Sequence, residues 1–353
     1  MRTTEQELLA ADSDGLRCEL GGFHIDPWRP VERAIITHAH ADHARPGSGR
    51  YWCAEPGLGL ARRRLGAKAE ITPVLYGQTF ELGSVRVSFH PAGHVLGSAQ
   101  VRVESPAGEV WVAAGDYKRA HDPTCAPFEP VPCDVFITEA TFALPVYRFP
   151  EPGAVMDEIV QWWRENAARG RVCVLFCYAL GKAQRVLAEL HVRRAELPQE
   201  FAWVHGSTNL LNPAYAEAGV ELLPTRLVSE RDADDPKDAH GKRDYAGHLV
   251  LAPPSAAGST WMRRFGVASR VDTGFASGWM HLRGIRRRRG YDRGFVISDH
   301  ADWGDLVRTI EEVGCRRVLA THGSSRTLAR YLREQGMDAS ELETLYETEG
   351  EDG

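Results

Sequence analysis

The stretch ITHAHADHARPG, Ile36 to Gly47, places three histidines and one aspartate inside six positions, His38 to His43. It follows RAIIT, Arg33 to Thr37, whose β-branched apolar residues read as a short buried strand. His38 and His40 alternate, so both side chains can point one way from an extended turn. Asp42 and His43 follow as the chain enters a helical turn. Neutral imidazoles together with a carboxylate suit Zn²⁺, and also Mn²⁺ or Fe²⁺. A lone HxH is weak evidence for such a site, whereas HxHxDH is far more specific. The pattern gains weight from His94, in the glycine-flanked turn PAGHVLGSA, and from Asp116, in AAGDYKR.

The chain has 353 residues, 43% hydrophobic and 25% charged, the balance of a folded protein rather than a disordered one. Its length suggests two domains, at roughly 150 residues each. No stretch approaches the ~20 apolar residues of a membrane span. The first residues lack the charged-then-apolar pattern of a signal peptide, so cytoplasmic residence is expected. Seven cysteines with no CxxC pair fit buried thiols better than a disulfide frame or a zinc knuckle. The net charge of −6 excludes a broadly basic nucleic-acid binder but leaves room for a local basic groove. Arg286, Arg287, Arg288 and Arg289 form one arginine block, and Arg62 to Arg64 another. The residues from 339 to 353 include six acidic groups and no basic ones, and read as an acidic flexible tail.

The N-terminal half reads as strands and tight turns: VRVSFH (Val85 to His90), QVRVES (Gln100 to Ser105), VWVAAGD (Val110 to Asp116) and CDVFITEAT (Cys133 to Thr141). Three prolines in LPVYRFPEPG, Leu144 to Gly153, then mark a linker. Beyond it, helix and strand patterns alternate through AVMDEIVQWWREN, VCVLFCY and GKAQRVLAELHVRRA, which predicts an α/β domain with a largely parallel sheet. GFVISDH (Gly294 to His300) and RRVLATHG (Arg316 to Gly323) are strands on either side of the helical DWGDLVRTIEEVG. Strands repeatedly end on reactive residues: His38, Asp116, Glu139, His300 and His322. In layered α/β proteins a site gathers at such strand ends.

The set His38, His40, Asp42, His43, His94 and Asp116 resembles the di-metal site of the metallo-β-lactamase fold. Asp26 resembles that superfamily's first acidic motif, which orients ligands. GHVLGSAQ, ITEATF, YALGKAQR, ISDHADW and ATHGSS further resemble the β-CASP nucleases. Within that branch, FHIDPWRPVERAIITHAHADHARPG looks most like the bacterial ligase-associated DNA exonucleases.

The resemblance implies an α/β architecture, a metallo-β-lactamase αββα sandwich carrying an inserted β-CASP domain. Residues 1–145 would form the first part of the lactamase domain, 146–292 the insertion and 293–338 the return segment, ahead of the tail. It also implies two divalent ions, Zn²⁺ first and Mn²⁺ as the alternative. His38, His40 and His94 would take one ion, Asp42, His43 and His322 the other, with Asp116 between them. Asp42 would also be catalytic. His300 resembles the family's candidate acid, and Glu139 the carboxylate that holds it. Lys182, at the start of a predicted helix, with Ser255 and Ser259, is a candidate for a terminal phosphate. Arg286 to Arg289 are candidates for tracking a strand backbone. The implied partners are DNA, as single strands or ends, with RNA as the alternative, and a DNA ligase and helicase.

His322 keeps the substrate open. In the β-CASP branch, histidine at this motif goes with RNA-type members and valine with eukaryotic DNA-type members, while the rest of the chain resembles a DNA-repair subgroup. The readings are therefore a 5′-to-3′ DNA exonuclease of repair, an RNase J-like or 3′-end-processing-like ribonuclease, a small-molecule hydrolase of the same fold, or an inactive nucleic-acid-binding scaffold. The long insertion argues against the small-molecule reading, and the intact ligand set against the scaffold.

Overall fold

The computed structural model describes residues 7–230, 235–237, 243–284 and 290–344. The chain divides into two compact units. One comprises the residues up to Arg148 together with those from His300 onward; the other spans Phe149–Asp299.

The first unit opens with β1 (Ala10–Ala11), β2 (Leu16–Cys18), β3 (Phe23–Ile25), β4 (Arg33–Ile35), β5 (Arg50–Ala54) and β6 (Ile71–Val74), hydrogen-bonded in that order into one sheet. Helix α1 (Leu58–Leu65) lies between the last two strands in sequence. A second series follows: β7 (Thr79–Leu82), β8 (Val85–Pro91), β9 (Ala99–Glu104), β10 (Val110–Ala113) and β11 (Val135–Glu139).

The second unit contains α2 (Pro152–Ala167), β12 (Val172–Phe176), α3 (Lys182–Val192), β13 (Ala202–Val204), α4 (Gly206–Glu217), β14 (Thr225–Leu227), β15 (Leu249–Ala252), β16 (Val271–Ala276) and β17 (Arg293–Phe295). The chain then returns with α5 (Trp303–Val313), β18 (Arg317–Thr321), α6 (Ser325–Glu334) and β19 (Asp338–Glu341). The second sheet of the first unit runs β19-β18-β11-β10-β9-β8-β7. Its strands from β10 to β19 are parallel, and those from β7 to β10 are antiparallel.

Side-chain alternation explains the layering of the first unit. In β5, Trp52 and Ala54 face the second sheet, while Tyr51 and Cys53 pack with α1 residues Ala61 and Leu65. In β10, Trp111 and Ala113 face the first sheet, while Val112 joins Leu306 and Ile310 of α5 and Leu328 of α6. Two sheets therefore meet over one apolar core, with α1 on the outer face of the first and α5 and α6 on that of the second. A strand covered on both faces reads as a nearly continuous apolar run, as VFIT in β11 does.

The second unit is built on an all-parallel sheet, ordered β14-β13-β15-β12-β16-β17. Ile159 and Trp163 of α2 and Val186 and Leu190 of α3 cover one face; Phe176, Trp203 and Phe275 look to the other.

Two boundaries fall elsewhere than the sequence suggested. The expected return at residue 293 shifts to His300, because Gly274–Ala276 pair with Arg293–Phe295 and hold β17 in the second unit. The expected tail at residue 339 begins with ordered structure, because β19 pairs Asp338–Glu341 with β18 and buries Ala339 against α6. None of the seven cysteines forms a disulfide. Among the described residues, no helix is long and apolar enough to cross a membrane.

Candidate metal centre

Parallel neighbours deliver the site. β10, β11 and β18 are adjacent, and Asp116, Glu139 and His322 lie at or just beyond their C-terminal ends. β3 and β4 are parallel neighbours in the other sheet and are followed by Asp26 and by the His38 turn. The Ala99 N–H donates to the Thr37 carbonyl at 2.8 Å, tying the two sheets together beside the site. Gly115 is required here. Its φ is +58°, and a Cβ would meet Thr37 side-chain atoms at 2.8 to 3.0 Å.

One buried carboxylate sets two imidazoles. Asp26 accepts from the Thr37 backbone N–H at 2.7 Å and from the Thr37 hydroxyl at 2.5 Å. It also faces His43 Nδ1 at 2.7 Å. A carboxylate can only accept, so His43 carries its proton on Nδ1 and turns Nε2 inward. Thr37 gives its only hydroxyl proton to Asp26, so it accepts from His38 Nδ1 at 3.0 Å. His38 Nε2 is thereby presented as well. Asp26 is among the residues expected from the sequence at this site; Thr37 and Gly115 are not.

The presented atoms converge. His40 Nδ1 lies 3.0 Å from His38 Nε2 and 3.1 Å from His94 Nε2. Asp116 Oδ2 lies 3.5 Å from both His38 Nε2 and His43 Nε2, and 3.8 Å from His94 Nε2. Asp42 Oδ2 is 3.5 Å from His43 Nε2. One cluster comprises His38, His40, His94 and Asp116, and a second His43, Asp116 and His322, with donor atoms inside 4.8 Å of one another in each. A tetrahedral zinc site with bonds of about 2.0–2.1 Å puts its donor atoms about 3.3 Å apart. Three nitrogens and an oxygen at such spacings fit a divalent ion far better than they fit mutual hydrogen bonds, since one imidazole nitrogen cannot serve two others at once.

Electrostatics favour the same fit. Burial, with the neighbouring His43, His94, His40 and His300, pushes His38 well below its usual value, which favours the neutral imidazole. Burial, then His43, pulls His322 down to about 3. Burial opposes a charge on His43, but Asp116, Asp42 and Asp26 outweigh it and raise its pKa. Burial raises the Asp116 carboxyl, although His43 and His300 oppose this. A cation at the shared oxygen would relieve this excess of buried protons.

A third group adjoins the first two. His300 Nδ1 lies 3.1 and 3.0 Å from the two oxygens of Glu139, and Glu139 Oε1 also accepts from the Tyr117 N–H at 2.8 Å. The Ala301 N–H donates to the Tyr117 carbonyl at 2.7 Å, fixing the backbone next to His300. These contacts fix the His300 ring with its Nδ1 proton toward Glu139. Its ring centroid is 4.8 Å from that of His94.

Among the described residues, the non-glycine positions with left-handed backbone are Asp26 (φ 43°) and His322 (φ 62°). Such strain costs roughly 1–3 kcal/mol each and concentrates at functional sites.

The remaining expected contacts lie in the second unit. Lys182 is corrected: it is 2% exposed, and its ammonium pairs with Asp299 at 2.9 Å and lies 4.7 Å above the Tyr178 ring. A buried ammonium needs a carboxylate, so the side chain turns inward rather than toward a phosphate in solvent. Ser259 is engaged within its own turn, donating to Ala256 O at 2.8 Å and accepting from Trp261 N at 3.3 Å. Ser255 is exposed. Arg286, Arg287, Arg288 and Arg289 lie outside the described residues. His24 Nε2 lies 3.1 Å from an Asp12 carboxylate oxygen.

The two-sheet unit carries histidine–carboxylate clusters that could hold metal ions. No family model matches the sequence. The chain is 33% identical over 331 residues to the probable DNA ligase of Opitutus terrae, which covers 93% of this chain and 30% of that protein. It is 33% identical over 123 residues to endoribonuclease YSH1 of Gibberella zeae, covering 33% of this chain and 14% of that one. The chain thus spans less than a third of the length of either relative. A crystal structure of a protein of unknown function from Enterococcus faecalis V583 shares the fold, with a TM-score of 0.55 at 12% identity over 90% of this chain and 79% of that one. The chain belongs to the β-CASP family of metallo-β-lactamase nucleases.

Proposed function

We propose that this protein is a metal-dependent DNA exonuclease that hydrolyses single-stranded or frayed DNA ends from the 5′ side during repair. In this reading the first unit is the metallo-β-lactamase αββα sandwich and the second its β-CASP insertion. The observation that carries it is the sharing of Asp116 among three clusters: His38–His40–His94, His43–His322 and Glu139–His300. Phosphodiester hydrolysis needs a nucleophilic water, relief of charge on phosphate, and a proton for the leaving oxygen. Two divalent ions held there, zinc first or manganese, would supply a water of lowered pKa and neutralise phosphate oxygens.

The protein supplies the rest. Asp26 and Thr37 keep the imidazole nitrogens aimed. Asp42, at the more open edge of the cluster, completes the second set. Glu139 holds His300 so that Nε2 can protonate the leaving oxygen. The 93% coverage by a protein called a probable DNA ligase supports DNA ends as substrate and a ligase as a working partner. The likeness to an endoribonuclease and the histidine at position 322 favour RNA as the second reading.

The deciding experiment offers 5′- or 3′-labelled DNA and RNA strands, with and without a 5′-phosphate, in Zn²⁺ or Mn²⁺. Progressive shortening of DNA from its 5′ end is expected. Cleavage of RNA alone would replace the DNA reading with the ribonuclease one.

A further inference from the structure

Arg64 lies in the last turn of α1, and its Nε donates to the Ala39 carbonyl at 3.2 Å. Ala39 is the residue between His38 and His40, so this guanidinium is anchored to the metal-binding turn itself. Its neighbour Arg63 turns back to the Gly59 carbonyl of its own helix at 3.0 Å. Arg45 also reaches the turn, but uses two nitrogens on carbonyls: Nε on Asp42 at 3.4 Å and Nη1 on Trp28 at 3.3 Å. Arg64 has only Nε so engaged; among the described residues its two terminal nitrogens have no protein hydrogen-bond partner.

The location is the solvent side of the cluster. The Asp42 side chain is 19% exposed, against 6% for Asp116. Burial lowers the Arg64 pKa and the Asp42 carboxylate opposes this, while the side chain as a whole stays exposed. A guanidinium is planar, so pinning Nε also fixes the direction of the terminal N–H groups. A pre-oriented fork with unused donors, at the open edge of a cationic centre, matches the non-bridging oxygens of a phosphodiester.

We propose that Arg64 is a substrate-binding residue that grips one backbone phosphate of the strand entering the metal centre. The proposal rests on the nuclease reading and names a contact within it. The ligand is the charged backbone, not a base.

The test compares wild type with Arg64→Gln and Arg64→Lys. Arg64→Gln should lower kcat/KM on a single-stranded oligonucleotide by roughly tenfold to a hundredfold. Bound metal per chain and the thermal midpoint should not change. Arg64→Lys should recover only part of the rate, because it keeps the charge and loses the fork. A series of oligonucleotides, each with one neutral methylphosphonate, then locates the contact. Wild type should be most impaired at one linkage, and Arg64→Gln should be insensitive there. Equal sensitivity of both proteins at every linkage overturns the proposal. So does a loss of bound metal that accounts for the lost rate, since Arg64 would then only brace the turn. Strand binding, followed by fluorescence anisotropy against salt, separates this from failure of the nuclease reading. If wild type cuts nothing, the activity is wrong, yet weaker binding and a flatter salt slope in Arg64→Gln still support the contact. Identical affinity and slope overturn it.

Discussion

Asp26 is the residue on which the candidate metal centre turns. It fixes His43 directly and His38 through Thr37. Replacing it with alanine should weaken metal affinity roughly ten- to a hundredfold, read by competition with a chromophoric chelator. Thr37→Val should reproduce part of that loss through His38 alone, and Thr37→Ser, which keeps the hydroxyl, should not. An Asp26→Ala protein with wild-type affinity would show that the rings hold their tautomers without it. The ligand-type residues were legible because HxHxDH crowds them into one turn. Thr37 was not, since a threonine before a histidine carries no signal until folding sets Asp26 against it.

At the scale of the element, the glycine after β10 lets two sheets close on each other. Gly115→Ala would force a methyl against Thr37 and hold a non-glycine residue at φ +58°. A loss of about 1–3 kcal/mol is expected in urea unfolding of the metal-free protein, together with weaker metal binding. An unchanged midpoint would mean that the turn can relax. Strand patterns showed which segments are buried, but not which sheet receives them. GFVISDH reads as a strand, yet only pairing with β16 assigns β17 to the second unit. β19 was hidden by acidic composition, which an edge strand tolerates because its outward side chains meet solvent. Lys182 was misread for a similar reason: GK at a helix start signals a phosphate only when the lysine faces outward, and Asp299, more than a hundred residues away in sequence, turns it inward.

At the scale of the whole molecule, the second unit should lose stability in acid. Burial holds His248 of the second unit down to about 4, against an ordinary value of 6.5. Its Nδ1 has no hydrogen-bond partner among the described residues. The unfolded chain takes up this proton first as pH falls. Stability of the second unit should therefore be intact above about 6.5 and decline as pH drops toward about 4. The fluorescence of Trp163 and Trp203, both buried in that unit, can follow urea midpoints at pH 7 and pH 5. His248→Phe should flatten the difference; an equal difference in the variant would assign it to other groups. The α/β class and the crowding of histidines and carboxylates were visible in the sequence, whereas the strand assignments and the inward lysine depended on long-range pairing.

The central claim is that the Asp116-linked clusters form a metal-dependent phosphodiesterase. The most direct measurement follows hydrolysis of an end-labelled single-stranded oligonucleotide by metal-loaded protein, by chelator-stripped protein and by Asp116→Asn. Cleavage by the loaded wild type alone is predicted, with strand binding retained in Asp116→Asn. Equal cleavage by the stripped protein or by Asp116→Asn would contradict the account.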